Sequence, residues 1–193
     1  MAEDKTLHDA FVDELRDLYD AEKQITKALP KMIKEAGAPR LREAFEEHLG
    51  ETQEQVARLE RIFEMLQEDA KGKPCAGMAG ILEEGAAILN EPFEDNAKDA
   101  CLVAAAQRVE HYEMAAYGTL IAWARSMDHT AAADLLEVSL DEEKSADLKL
   151  SKLAKEGIND SAAELAHPDD EEETRSPARN AGNARDMRAR PRE

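Results

Sequence analysis

The amino-acid sequence predicts an all-α protein folded as an antiparallel four-helix bundle. Of its 193 residues, 35% are charged and only 4% are aromatic, a composition typical of helical proteins when apolar residues recur every three to four positions. Four long segments show that spacing. The first two and the last two are joined by short links, whereas the middle connection is long enough to cross the length of a bundle.

The first long helix is predicted over residues 6–36, with Thr6 as its N-cap and Gly37 as the residue that ends it. The second helix follows the Ala38-Pro39 link and continues to about residue 69. Both helices bury one apolar stripe, and in both the stripe is interrupted by polar side chains near the middle of the helix. These interruptions are the first indication of a site inside the bundle.

The middle connection begins with a segment rich in glycine and proline, AKGKPCAGMAG, which predicts a break in helical structure. A short extra helix is predicted after it, over residues 81–90. The third long helix is predicted over 95–126 and the fourth over 130–156, ending at Gly157. The stripe of the third helix consists of Val103, Ala106, Glu110, Glu113, Tyr117, Ile121 and Ala124.

The bundle is assigned to residues 1–166 and a disordered charged tail to residues 167–193, where nearly every apolar side chain disappears. The net charge of −18 makes nucleic acid and anionic membrane surfaces poor partners. The sequence has no apolar run of membrane-spanning length and begins without a secretory signal, so we expect a cytoplasmic protein. Cys75 and Cys101 are expected to be reduced thiols, although a disulfide between them stays open.

Five carboxylates interrupt the apolar stripes close to the helix midpoints: Glu22, Glu51, Glu110, Glu113 and Glu143. Glutamate is rarely buried unless it is paired. Helices of similar length have their midpoints at one level when they pack antiparallel, so these side chains are expected to meet in one layer. Chance would explain one or two such coincidences, but not one in every long helix.

A buried layer of carboxylates must be neutralised, and two ways of doing so need no metal. Buried basic residues would neutralise the layer, but the stripes contain no Lys or Arg; Arg58 is the nearest, and His48 supplies at most one charge. Protonation would serve for one or two carboxyl groups but not for five. A pair of divalent cations resolves the repulsion, as in known carboxylate bundles. Oxygen ligands favour iron or manganese among redox metals and also admit magnesium or calcium.

The candidate metal ligands are Glu22, His48, Glu51, Glu110, Glu113 and Glu143. His48 and Glu51 form a His-x-x-Glu pair at i,i+3, and Glu110 and Glu113 form a Glu-x-x-Glu pair. The residues expected to support these ligands are Gln55, Asp147, Thr52 and Tyr19.

Other polar and aromatic residues of the third helix lie off its stripe. His111 is predicted at the rim of the bundle rather than among the ligands. Tyr112, Ala116 and Trp123 lie on the opposite side of the helix. That face is expected to contact either the crossover segment or a second subunit, and the sequence does not decide between them.

Four runs carry a family resemblance: DLYDAEKQI, HLGETQEQVARLERIF, QRVEHYEMAAYGTL and LDEEKSADLKL. They resemble the YciE/YciF family of ferritin-like bacterial stress proteins over residues 6 to about 160. The resemblance implies a ferritin-like bundle with a long crossover between the second and third long helices. It also implies a di-metal centre of two iron or manganese ions, a cytoplasmic homodimer and an association with stress responses.

The sequence departs from the wider ferritin and rubrerythrin pattern, which has Glu-x-x-His on the second and fourth helices. Here the second helix has His48 and Glu51 in the reverse order, and Ala146 stands three residues after Glu143. The Glu110-x-x-Glu113 pair resembles the rubrerythrin arrangement. Fewer imidazoles make the predicted site more anionic and put oxygen-activating iron chemistry in doubt.

Three functions are consistent with these features. One is a di-metal oxidoreductase that reduces peroxide or oxygen, or that handles iron. Another is metal binding without turnover. The third is a structural stress protein, acting as a dimer, whose carboxylate cluster has no present role. Fold analogy does not choose among them.

Overall fold

The computed structural model describes residues 4–164 and 166, and within this part of the chain every regular element is a helix. The elements are α1 (Leu7–Glu35), α2 (Pro39–Leu66), α3 (Ala76–Asn90), α4 (Asp95–Ser126), α5 (Thr130–Leu153), a π-helical turn (Ala154–Ile158) and α6 (Asn159–Ala163). The four long helices form the predicted ferritin-like bundle. The tail predicted over residues 167–193 lies outside the described residues.

Helix α1 begins at the predicted N-cap. The Thr6 hydroxyl accepts from the Asp9 amide at 3.3 Å, and the Asp9 carboxylate accepts from the Thr6 amide at 2.7 Å. This reciprocal capping box satisfies two amides that the helix itself leaves without partners. The side chain of Thr6 therefore fixes where α1 starts.

The bundle is antiparallel because both short links lie between neighbouring helices and the crossover returns the chain to the opposite end. Asp99, near the start of α4, accepts from the amides of Gly37 and Ala38 at 2.8 and 2.7 Å. These amides lie at the end of α1 and the start of α2. Helix α4 therefore runs parallel to α2 and antiparallel to α1, and α5 returns antiparallel to α4.

The crossover between α2 and α4 contains the predicted extra helix, but α3 begins at Ala76, five residues earlier than predicted. The Sγ of Cys75 caps it by accepting from the Met78 amide at 3.3 Å. Gly77 was interpreted as a helix breaker, yet a Cβ at this position would lie 2.8 Å from the Tyr112 ring. The glycine allows α3 to approach α4 closely, so tertiary packing overrides its low helix propensity.

The fourth long helix ends earlier than predicted. Helix α5 stops at Leu153 and continues as a π-helical turn in which Gly157 has a φ of +146°. Only glycine adopts this backbone conformation readily. The prediction of a stop at Gly157 is thus nearly correct, whereas α6 was not predicted.

The predicted apolar stripes form the core. The seven stripe residues of α4 are all buried, and the five apolar ones pack with the stripes of the other long helices in one continuous cluster. Both cysteines are free thiols, as expected. Within the described residues, no helix has the combination of length and apolar composition that crossing a bilayer demands.

Candidate metal centre

Three of the four long helices bring potential ligands to one buried point in the middle of the bundle. These ligands are His48 from α2, Glu110 and Glu113 from α4, and Glu143 from α5. One ligand atom from each lies within 4.8 Å of those of the other three. The prediction that mid-helix carboxylates meet in one layer is confirmed for Glu110, Glu113 and Glu143, and the imidazole of His48 joins them.

Glu22 brings α1 to the same layer. Its side chain is fully buried, and its Oε1 accepts from the Tyr117 hydroxyl at 2.5 Å. Its charge contributes, after burial and the charge of Glu143, to raising the pKa of Glu113. Tyr117 comes from α4, one turn beyond Glu113, so α4 both supplies candidate ligands and orients the carboxylate of α1.

Glu51 differs from the other predicted ligands because 33% of its side chain is exposed. Its Oε2 lies 3.6 Å from His48 Nδ1, while His48 Nε2 lies 3.3 Å from Glu110 Oε1. Glu51 thus contacts the outer side of the imidazole, and the cluster lies on the inner side. Its ligand role stays a prediction.

Several buried atoms of the cluster have no hydrogen-bond partner among the described residues: Glu22 Oε2, Glu110 Oε2, both oxygens of Glu113, Glu143 Oε2, both ring nitrogens of His48 and Gln55 Oε1. Buried polar atoms are nearly always paired, and each exception requires an explanation. Nearly all of these atoms are good donors to a hard or borderline cation. The donor set therefore fits a divalent metal.

The electrostatics of the layer give the same result. Burial, together with the charge of Glu143, raises the pKa of Glu22 to about 8. Burial is also the largest cause that raises the pKa of Glu110 and of Glu113 well above the usual value, and neighbouring carboxylates add to it. Without a cation the protonated forms of these carboxyl groups are favoured, because their charged forms are desolvated and repel one another.

A polar network between α2 and α5 closes the cluster on the side toward the C-terminal end of α2. Gln55 Nε2 donates to Glu143 Oε1 and, at 3.1 Å, to Glu142 Oε2. Arg58 forms a bidentate pair with Glu142, at 2.5 and 2.6 Å, and donates to Ser139 at 3.0 Å. Arg58 is thus neutralised by Glu142 and does not neutralise the cluster.

Three other residues were predicted to support the ligands, and the structure places them differently. Thr52 is buried, and its hydroxyl donates to the His48 carbonyl at 2.8 Å. Asp147 accepts from Gln107 at 2.9 Å, and within the described residues no hydrogen bond joins it to a cluster side chain. The prediction for Tyr19 is wrong, since its hydroxyl donates to Glu60 at 2.7 Å; its position one turn from Glu22 did not reveal this partner.

Two residues off the α4 stripe, His111 and Tyr112, lie where they were expected. The His111 side chain is 68% exposed, at the rim, and 3.5 Å from Asp147. Tyr112 packs under the crossover: its hydroxyl donates to Asp17 at 2.9 Å and lies 3.0 Å from Cys75 Sγ. For Tyr112 the contact with the crossover is therefore confirmed.

A family model described as a domain of unknown function, DUF892, matches residues 6–163. The chain belongs to this family. The DUF892 match covers all four long helices and the crossover, which is the range over which the sequence resembles the YciE/YciF proteins. That resemblance is confirmed.

Relatives of this DUF892 chain support the same conclusion. Protein YciF of Escherichia coli (strain K12) is 40% identical over 163 residues, covering 84% of this chain and 98% of that protein. The crystal structure of the E. coli stress protein YciF has a TM-score of 0.78, covering 81% of this chain and 99% of that one. YcfI from Rhodopseudomonas palustris, for which a structural role has been suggested, is 43% identical with a TM-score of 0.76, covering 78% of this chain and 97% of that one.

Sequence reasoning did not assign a role at the site to Tyr117 or Glu142. Tyr117 was predicted as a core residue, and its polar hydroxyl, one turn from Glu113 on the same face, was the available signal. Glu142 lies off the α5 stripe beside Glu143, and nothing in its spacing distinguishes it from a solvent-exposed residue. Its role depends on Arg58 and Gln55, which come from another helix.

Proposed function

We propose that the protein binds divalent cations in this cluster, as a di-iron or di-manganese protein of the ferritin-like kind. The observation that carries the proposal is the set of buried carboxylate and imidazole atoms without hydrogen-bond partners. Placing such atoms in a bundle core costs several kcal/mol unless something binds them. Binding a cation recovers this cost in the folded state.

The charge of the cluster supports two ions per chain. Its four fully or almost fully buried carboxylates, Glu22, Glu110, Glu113 and Glu143, carry four negative charges when ionised. His48 adds a neutral donor. Two divalent cations balance these charges, whereas a single cation leaves two negative charges in a low-dielectric interior.

The chain's own residues would hold the ligands in place. Tyr117 donates to Glu22, and Gln55 donates to Glu143, which fixes two carboxylates from different helices. When bound, iron or manganese supplies one-electron redox chemistry suited to peroxide, oxygen or iron handling. The stress association of the E. coli relative makes this activity a reasonable proposal here.

Metal binding without turnover is the second candidate, in which case the protein acts as a non-catalytic or structural stress protein. It is favoured by the ligand set, which has a single imidazole, His48, among the buried residues near the cluster. A set dominated by carboxylates also accepts magnesium or calcium.

Elemental analysis of protein purified without chelator tests metal binding. We expect about two equivalents of iron or manganese per chain, falling to one or fewer in Glu113→Gln and Glu143→Gln. Glu54→Gln is the matched control because Glu54 is exposed on α2. If the wild-type protein takes up no Fe²⁺ or Mn²⁺ after anaerobic incubation, the proposal is wrong.

Turnover needs a separate measurement. Peroxide consumption and ferroxidase activity would be measured for Fe²⁺-loaded wild-type protein and for Glu110→Ala and Glu143→Ala. Loss of activity in both variants supports the oxidoreductase. Wild-type rates in both variants, or no activity in loaded wild-type protein, would leave metal binding as the function.

We also propose a cytoplasmic homodimer. The free state of Cys75 and Cys101 fits a reducing compartment. An apolar groove of about 480 Å³ between α1, α3 and α4 offers a surface that a second copy would cover. Light scattering on the purified protein tests this: Leu82→Glu, in the wall of the groove, should give monomers, and a monomeric wild-type protein would refute the dimer.

A further inference from the structure

The buried cluster comes close to the protein surface at a gap between α2 and α5. A cavity of about 30 Å³ lies in this gap, with His48 and Glu110 in its inner wall and Glu51 and Lys149 also among the residues that line it. Ala146 faces it from α5, and its short side chain leaves space. A volume of this size accommodates a water molecule or a small ion.

The potential ligands in this gap become progressively more buried from the surface to the interior. Glu51 is 33% exposed and Glu110 only 2%. Between them lies His48, with Nδ1 at 3.6 Å from Glu51 and Nε2 at 3.3 Å from Glu110. Neither ring nitrogen has a hydrogen-bond partner among the described residues, so both are available to an ion that moves inward.

An ion pair stands in the same gap. Lys149 lines the cavity, and its ammonium group pairs with Glu47 of α2, so the pair links α2 to α5. Both side chains are about half exposed. Exposed pairs of this kind contribute little to stability and break readily. The ammonium group nevertheless places a positive charge where a cation would approach.

We infer that divalent cations reach the cluster through this gap. Glu51 binds the ion first, at the surface, and transfers it to His48 and Glu110. The Lys149–Glu47 ion pair slows passage, because its ammonium group repels an approaching cation. This inference rests on the proposed metal binding and adds the path to it. It assigns Glu51 a transient role, in contrast to a ligand of the filled centre.

The test compares rates with the amount bound. Chelator-treated protein is loaded with Fe²⁺ under anaerobic conditions, and the number of ions bound at saturation is measured. Release of the bound Fe²⁺ to excess ferrozine is then followed by absorbance. In the reverse experiment, Fe²⁺ is added to chelator-treated protein and its uptake is followed over time. We expect Glu51→Gln to slow both processes about tenfold with an unchanged number of ions, and Lys149→Met to accelerate both about threefold.

The controls make the same charge changes on the same helices away from the gap. Glu54→Gln and Lys144→Met alter exposed residues of α2 and α5, so they report the effect of net charge alone. If the two gap variants change the rates no more than these controls, the path is wrong. If Glu51→Gln lowers the number of ions bound, Glu51 is a resident ligand and the inference is also wrong.

Failure of the proposed metal binding and failure of the path alone would give different results. Absence of saturable Fe²⁺ binding in the wild-type protein would overturn both the proposed function and this path. Normal saturation with rates insensitive to Glu51 and Lys149 would overturn the path alone. Both side chains are partly exposed, so we expect the variants to fold, and a thermal melt of each confirms it.

Discussion

The stability of the metal-free protein should fall as pH rises from 5 to 8. Glu22 has an ordinary pKa of 4.5, and burial raises it to about 8 in the folded chain. Between these values the folded state binds more protons than the unfolded state, so the free energy of unfolding decreases with increasing pH. Below pH 4.5 the group costs nothing, because it is protonated in both states; above pH 8 the full cost is present.

The magnitude follows from the same two values. A difference of about 3.5 pH units at 1.36 kcal/mol each corresponds to about 5 kcal/mol, of which about 3.5 kcal/mol develops between pH 5 and 8 because Glu22 is still half protonated in the folded state at pH 8. For a domain of this length 1 kcal/mol shifts the melting temperature by about 2–4 °C. We therefore expect the melting temperature of the metal-free protein to fall by about 10 °C over this range.

The assay is a set of thermal melts by circular dichroism on chelator-treated protein at constant ionic strength. Glu22→Gln removes the titrating group and keeps the shape of its protonated form, so its melting temperature should depend less on pH. Glu54→Gln, on the surface, should follow the wild type. The reasoning is refuted if the wild-type melting temperature is constant or rises with pH, or if Glu22→Gln leaves its slope unchanged.

Adding metal should counteract this pH dependence. Cations bind the ionised carboxylates, so binding releases protons and strengthens as pH rises. Saturating Mn²⁺ should consequently raise the melting temperature more at pH 8 than at pH 5. An equal increase at both values would mean that Mn²⁺ stabilises the protein without displacing protons from the cluster.

Two further predictions concern the scaffold. Gly77→Ala should destabilise the protein by about 1–2 kcal/mol, because the new Cβ would lie 2.8 Å from the ring of Tyr112 and overpacking outweighs the gain in helix propensity. Gly80→Ala is the control: a Cβ there would have no neighbouring atom within 4 Å, so the substitution should stabilise the protein by about 0.5–1 kcal/mol. Urea titrations of both variants measure the difference. Asp99→Ala should lower the free energy of unfolding by about 1–3 kcal/mol, because it removes the buried carboxylate that accepts from the partly exposed amides of Gly37 and Ala38. Asp99→Asn keeps one acceptor and should lose about half as much; equal losses in both variants would show that these hydrogen bonds do not stabilise the fold.

The layer of the candidate site could be predicted from the sequence because it depends on local periodicity. Glu22, Glu110, Glu113 and Glu143 each replace an apolar residue on a stripe, and helices of similar length align their midpoints without further information. The capping box of Thr6 is local in the same sense. These features follow from spacing along one helix.

The features that could not be predicted depend on contacts between helices. The start of α3 was placed at Ile81 because glycine is a poor helix former, yet the packing of Gly77 against Tyr112 extends the helix by more than a turn. The role of Asp99 required knowledge that the start of α4 meets the corner between α1 and α2. Propensity carries no information about such encounters.

The position of Glu51 shows how a small difference in helical phase changes chemistry. At about 100° per residue, Glu51 points about 60° away from His48 and about 100° away from Thr52, which places it at the edge of the α2 stripe rather than on it. Reversing the usual Glu-x-x-His order thus puts an imidazole inside and a carboxylate at the rim. A glutamate at position 48 would add a fifth buried carboxylate, one more than two divalent cations balance. His48 contributes no negative charge, so the inner cluster keeps four carboxylates, and the partly exposed Glu51 adds its negative charge where water screens it and where we propose that cations enter.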